Sequence, residues 1–232
     1  MGFPPEKPRR ATYAELEAVP PHMVAEILNG VLHVFPRPAP PHAYASSSLG
    51  IEIGGPFDRG RGGPGGWRIL DEPELHFGPK DDDDVVVPDL AGWRLERMPK
   101  LPKTAYFTLA PDWVCEVLSP STETADRTEK MPIYAREGVR HAWLLHPIRR
   151  TLEVFRRGPD GLWVVLGVHH GSATVRAEPF DAVDLDLSTL WTDVEGGMTE
   201  QDETPIPSVQ LRIVKPKALR AAPPGKGRPR KA

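Results

Sequence analysis

At 232 residues, with 39% apolar and 26% charged side chains, the chain has the material for one sizeable α/β domain with tails. A single cysteine, Cys115, excludes an intramolecular disulfide and any cysteine-cluster metal site, and no apolar run approaches the length that spans a bilayer. The net charge of −3 hides an asymmetry: eight basic residues and no acid lie between Arg212 and Ala232, and taking those eight away leaves the rest of the chain at −11. Such a body does not bind nucleic acid through one broad positive face, so any attraction of DNA must come from the tail or from a local patch.

Met1-Gly2-Phe3-Pro4-Pro5 lacks the charged and apolar regions of a signal peptide, which makes the cytoplasm the expected compartment. The 28 prolines and 21 glycines gather at the ends and in two loops, so long irregular connections are expected. Residues 1–11 read as a disordered arm, 12–195 as the folded domain, and 196–232 as a proline-rich, basic tail of little order.

Thr12-Tyr13-Ala14-Glu15 has the spacing of a capping box and opens a short helix that Pro20-Pro21 stops. Met23–Leu28 and Val31–Phe35 flank Asn29-Gly30, the strongest short signal for a β-hairpin. Glu26 sits among apolar neighbours in the first of these strands; on pattern alone, a solvent-facing position is the plainer reading and a carboxylate aimed at a site the other. A helix is expected from His42 to about Ile53, ending at Gly54-Gly55-Pro56. The loop Arg59-Gly60-Arg61-Gly62-Gly63-Pro64-Gly65-Gly66 lacks the lysine and hydroxyl of a P-loop. An inert connection is the plainer reading of it, although its arginines are of the kind that touch a DNA backbone.

Strands are expected at Trp67–Leu70 and Pro73–Phe77, the latter carrying Glu74, followed by a solvated acidic turn, Asp81–Asp84, that lacks the ligand pattern of an EF-hand. Val85–Asp89 reads as a strand that Leu90–Trp93 continues, and Trp113–Leu118 as a second acid-bearing strand. A helix from about Glu123 to Glu137 follows, disturbed near Pro132, with Lys130 and Tyr134 one turn apart on one face. His141–Pro147, Thr151–Arg156, Leu162–Val168 and Ala173–Arg176 read as further strands, and Ser188–Trp191 as a short closing helix.

An acid set into an apolar strand is costly unless something pairs with it. Asp89 and Glu116 are two such acids, and Lys130 follows shortly after. If their strands are neighbours, the two carboxylates suit Mg²⁺ or Mn²⁺, which takes hard oxygen ligands and keeps several waters. Such an ion acidifies water and polarises a phosphoryl oxygen, and a nearby lysine can orient the water or stabilise phosphate charge. Cys115 alternates with Glu116 and so belongs to the opposite face, in the core. His42 is a weaker site candidate at a helix start. Ser119 and Ser121 show no histidine–acid partnership, and His169-His170 places its rings on opposite strand faces, against a shared metal.

Pro88-Asp89, then Cys115-Glu116-Val117-Leu118-Ser119-Pro120-Ser121-Thr122, then Glu129-Lys130 with Tyr134, Gly138-Val139 and Trp143-Leu144 carry a resemblance. From about Thr12 to Trp191 the chain resembles the Uma-type endonucleases, a large bacterial family within the PD-(D/E)XK nuclease superfamily. The resemblance implies an α/β (α+β) restriction-endonuclease-like core, with a mixed central sheet flanked by helices and a divalent metal. It implies Asp89 as the metal-binding aspartate, Glu116 as the second acid, and Lys130 as the lysine moved from the strand onto the following helix. In the usual superfamily pattern that lysine stands two residues after the acid, where this chain has Leu118. Glu26 resembles the acid the family places early in the domain, and Glu74 is taken as an additional metal-site acid. His141 and His146 depart from the acids common at their positions and are read as surface or packing changes.

The expectation is therefore a Mg²⁺- or Mn²⁺-dependent DNA endonuclease with no membrane association, and a homodimer because cutting two strands is easiest with two copies of one site. Two rivals stay open: a catalytically idle nucleic-acid-binding or regulatory protein on the same fold, and a metal-dependent hydrolase of another phosphate ester.

Overall fold

The computed structural model of the chain describes residues 9–78 and 84–192. The elements run α1 (Tyr13–Glu17), β1 (Met23–Leu28), β2 (Val31–Pro36), α2 (Pro40–Ile53), β3 (Trp67–Asp71), β4 (Leu75–Phe77), β5 (Asp84–Val86), β6 (Leu90–Arg94) and β7 (Trp113–Val117). Then come α3 (Glu123–Ala125), α4 (Met131–Arg136), β8 (His141–His146), β9 (Thr151–Arg157), β10 (Trp163–His170), β11 (Thr174–Val175) and β12 (Leu185–Asp186). A 3₁₀ turn, Leu187–Leu190, closes the described chain.

The capping box forms as its spacing predicts: the Thr12 side chain accepts from Glu15 N, and Glu15 Oε2 accepts from Thr12 N at 2.8 Å. Asn29 and Gly30 take φ of 52° and 82°, the pair of left-handed residues that a tight two-residue hairpin requires, and they set Glu26 opposite His33. This hairpin belongs to an antiparallel sheet of order β2-β1-β5-β4.

The larger sheet has the order β10-β9-β8-β7-β6-β3 and is antiparallel except between β7 and β8. Joining parallel neighbours needs a crossover, which the α3–α4 segment supplies. β7 is buried along its whole length, because both faces of the sheet are covered. On one face Trp113, Cys115 and Val117 pack beneath α2 with Trp67, Trp143 and Phe180; on the other Val114 and Leu118 meet Trp93, Ile133 and Tyr134. Cys115 is thus a core residue, and the mixed sheet with few helices matches the expected fold class.

Several elements differ from their sequence pattern, each for a local reason. The expected strand Val85–Trp93 is broken at Val87-Pro88-Asp89: β5 pairs with β1 and β4 in the small sheet, whereas β6 pairs with β3 and β7 in the large one. Pro88 has no N–H to give a ladder, so the chain changes sheets there. α2 begins at Pro40 and does not stop at Gly54; it widens into a π-helical turn through Asp58, with Gly54 in ordinary helical geometry. The following helix is also interrupted, by a π-helical turn over Asp126–Lys130 that precedes Pro132. Glu74 precedes β4 rather than lying within it, and Ala173–Arg176 shortens to β11, paired with β12 instead of extending the meander.

Asp84 opens β5, buried, with Arg136 Nη2 at 2.5 Å and Arg10 at 3.7 Å; Asp81–Asp83 and the basic tail lie outside the described residues. Ala11, expected in the N-terminal arm, donates its N–H to Gly30 O at 2.8 Å.

Trp67, Trp113 and Trp143 each lie within 5.6 Å of the Phe180 ring, centroid to centroid. A Cβ at Gly92 of β6 would meet Trp113 at 3.2 Å and Trp67 at 3.3 Å, and neither buried indole has room to retreat. Gly92→Ala is expected to destabilise the fold by roughly 1–3 kcal/mol. Urea unfolding of the two proteins checks this, and an unchanged midpoint would show that the tryptophan cluster yields.

Candidate active site

The break between the two sheets leaves backbone groups that no strand satisfies, and acidic side chains and a lysine take over. Val87 N donates to Glu26 Oε1 at 2.7 Å, and Val87 O accepts from Lys130 Nζ at 3.2 Å. Asp89 Oδ2 accepts from Val117 N, at the end of β7, at 2.7 Å. The crossing segment is therefore pinned from three sides, which places the Asp89 carboxylate beside the end of the strand that carries Glu116.

Around it the sequence candidates converge. Lys130 Nζ lies 2.8 Å from Glu116 Oε2, 3.1 Å from Glu26 Oε1 and 3.5 Å from Asp126 Oδ1. The second Glu116 oxygen accepts from the Tyr134 hydroxyl. His42, in the first turn of α2, brings Nε2 to 3.3 Å from Asp89 Oδ1. Glu26, Glu116, Asp126 and Lys130 are each at most 3% exposed, at the base of a cavity of about 460 Å³. Its walls come from Phe35–Ala39, the end of β2 and the residues that lead into α2, and from Ser119–Thr122 after β7.

Glu74 lines the same cavity, but its Oε1 accepts from Tyr13 Oη at 2.9 Å and meets His76 Nε2 at 2.7 Å, so it stands apart from the lysine cluster. His141 and His146 serve packing: burial lowers the pKa of both, and His146 Nδ1 accepts from Arg149 N at 3.2 Å.

The electrostatics follow from having more acids than bases in a buried space. Burial pushes the Glu116 carboxyl well above the usual carboxylate range, against the pull of Lys130. Burial alone would depress the Lys130 ammonium, but Glu116 and Glu26 outweigh it and hold the pKa well above normal, so Lys130 stays charged. Burial raises Asp126 to about 6, again opposed by Lys130, and it raises the Tyr134 phenol well above its ordinary value, with Glu116 adding to the shift. His42 is shifted upward, its burial outweighed by the hydrogen bond to Asp89.

Glu26, Asp89, Glu116 and Asp126 thus face one cavity with a single lysine among them, and Glu72 and Glu74 also stand in its wall. Their hard oxygen donors and surplus negative charge fit a divalent cation of the magnesium type. Among the described residues no three His, Cys, Asp or Glu side chains are grouped so that they could hold a metal ion by themselves; magnesium keeps several waters and binds through one or two carboxylates.

Comparison with known proteins gives this geometry a context. A family model, Uma2, described as "Putative restriction endonuclease", matches residues 10–188. The chain belongs to the Uma2 family. A crystal structure titled as a putative nuclease belonging to DUF820, from Anabaena variabilis, superposes with a TM-score of 0.60 at 24% identity, over 78% of this chain and 97% of that one. At that identity the likeness establishes the shared fold. No curated protein matches the chain.

For this Uma2 member, sequence reading found Glu26, Asp89, Glu116 and Lys130 and missed Asp126. The signal was present: Asp126 precedes Lys130 by four residues, and an acid and a lysine at that spacing share a helix face. His42 was marked only as a lone histidine, since nothing in the sequence ties it to Asp89.

Asp126 generates a test. Its raised pKa means that the folded protein binds this proton more tightly than the unfolded chain does. The group therefore weakens the fold increasingly as pH rises from about 4 to about 6, and the weakening persists above that window. Asp126→Asn is expected to raise the stability of metal-free protein at pH 7.5 by on the order of 1–3 kcal/mol, with the gain vanishing near pH 4. Thermal melts in chelator at the two pH values check it; a variant less stable at both would show that the contact with Lys130 outweighs burial.

Proposed function

We propose that the chain is a divalent-cation-dependent endonuclease that hydrolyses DNA phosphodiesters. The observation that supports this most is the convergence of Asp89, from the crossing between β5 and β6, and Glu116 of β7 on one cavity with Lys130. Membership of a family described as restriction endonuclease adds to it. Asp89 and Glu116 would hold Mg²⁺ or Mn²⁺, with Asp126 nearer to them than the expected Glu74 as a further acid. A bound cation would polarise the phosphoryl oxygen and acidify a water.

The chain's own groups have distinct parts in this reading. Val117 N and His42 fix the two oxygens of Asp89, and Tyr134 and Lys130 fix the two of Glu116. Preorganisation of this kind spares the site reorientation during reaction. Lys130 is the one cation in the cluster and offsets the charge that builds on the phosphate as water attacks and the leaving oxygen departs. Glu26 holds both Val87 N and Lys130, so it positions the lysine and the crossing segment together.

The buried acids and the acidic body favour a second reading, hydrolysis of a small phosphate ester. The test is cleavage of supercoiled plasmid, and of a small phosphodiester such as bis(p-nitrophenyl) phosphate, with Mg²⁺ or Mn²⁺. Nicking by the native protein is expected, with Asp89→Ala and Glu116→Ala reducing it by roughly 10²-fold or more and leaving the circular dichroism spectrum native. Turnover of the small ester alone would favour the second reading. Neither cleavage nor calorimetric metal binding would sink both.

A further inference from the structure

Beside the catalytic cavity lies a second one, of about 420 Å³, which the nuclease reading leaves without a task. The two share a boundary residue by residue. His42 of α2 lines the first, and Ser46, one turn on, lines the second; Glu72 and Asp89 line the first, and their chain neighbours Asp71 and Leu90 line the second. From Ser46 the second cavity follows α2 past Gly50 and Gly54 to Arg59 and Arg61.

The chemistry of this groove differs along its length. Its acidic end, Asp71, is the end next to Asp89. Asp58, also in its wall, is already occupied, with Oδ2 accepting from Ile69 N at 3.1 Å and Arg68 at 3.5 Å from Oδ1. At the far end Arg59 and Arg61 are exposed, and neither has an ion-pair partner among the described residues. On an acidic body, this places two uncommitted guanidiniums on a groove that opens from the active site. The floor carries little side chain: a Cβ at Gly54 or Gly55 would meet nothing within 4 Å.

Building on the nuclease reading, we propose that this groove carries the sugar–phosphate backbone of the nucleic-acid strand as it leaves the active site, with Arg59 and Arg61 gripping its phosphates. Arginine suits the role because its planar fork of donors matches phosphate oxygens. Because these contacts are to the backbone, they raise affinity and its salt dependence without adding sequence preference.

The experiment measures binding apart from cleavage. Glu116→Gln protein in Mg²⁺ is titrated with fluorescent single-stranded and duplex oligonucleotides over a range of salt concentrations. Adding Arg59→Ala with Arg61→Ala is expected to weaken binding roughly tenfold at low salt and to lower the slope of log K against log salt by about 1.5–2. Adding Gly54→Glu instead puts a carboxylate in the groove, at a position of helical φ with open space, and is expected to weaken binding at least as much. Arg140→Ala with Arg156→Ala removes the same charge beside the start of β8, at positions that line neither cavity, and is expected to leave the slope unchanged. If the Arg59/Arg61 variant matches that control in affinity and slope, the groove proposal fails and the nuclease reading stands. If no oligonucleotide binds and the native protein cleaves none, both fail together.

Discussion

The structure depends on one ammonium group placed among three buried acids. Without Lys130, Glu26, Glu116 and Asp126 would be uncompensated charges in a space from which water is nearly excluded, an arrangement whose cost runs to several kcal/mol per ion. With it they form a hydrogen-bonded cluster that also satisfies the backbone of Val87, where the chain crosses between sheets. The catalytic candidates and the sheet crossing are therefore one construction, because the groups that would act on a phosphate are also those that complete an interrupted ladder.

That construction explains the distribution of charge in the molecule. A stable fold would use apolar residues at Glu116 and Asp126, and the raised carboxyl pKa values measure how poorly the protein interior tolerates them. In the proposed function, a divalent cation at the cluster would relieve that repulsion. On that reading, stability is traded for a site prepared to receive positive charge, a pattern expected where function opposes packing.

Much of this was legible in the sequence, and the exceptions have physical reasons. Asn29-Gly30 admits few conformations, so the hairpin and with it the placement of Glu26 could be read directly. The apolar run around Glu116 marked a strand buried on both faces. The break at Pro88 was hidden because Val85–Trp93 is as apolar as one continuous strand; only pairing partners distant in sequence reveal that it serves two sheets. The π-helical turns at Gly54–Asp58 and Asp126–Lys130 left no composition signal, since each adds one residue per turn without changing residue type. The link from His42 to Asp89 is purely tertiary.

The lysine's position on the helix rather than on β7 carries a consequence for how the molecule assembles. Leu118, where a strand-borne lysine would stand, is free to join the core and is 1% exposed. Lys130 is instead carried by the α3–α4 crossover that joins the parallel neighbours β7 and β8, so its ammonium reaches Glu116 only where that crossover packs on the sheet. Packing of that crossover and compensation of the buried acids therefore rest on the same contacts, and the candidate site is complete only where sheet and crossover meet.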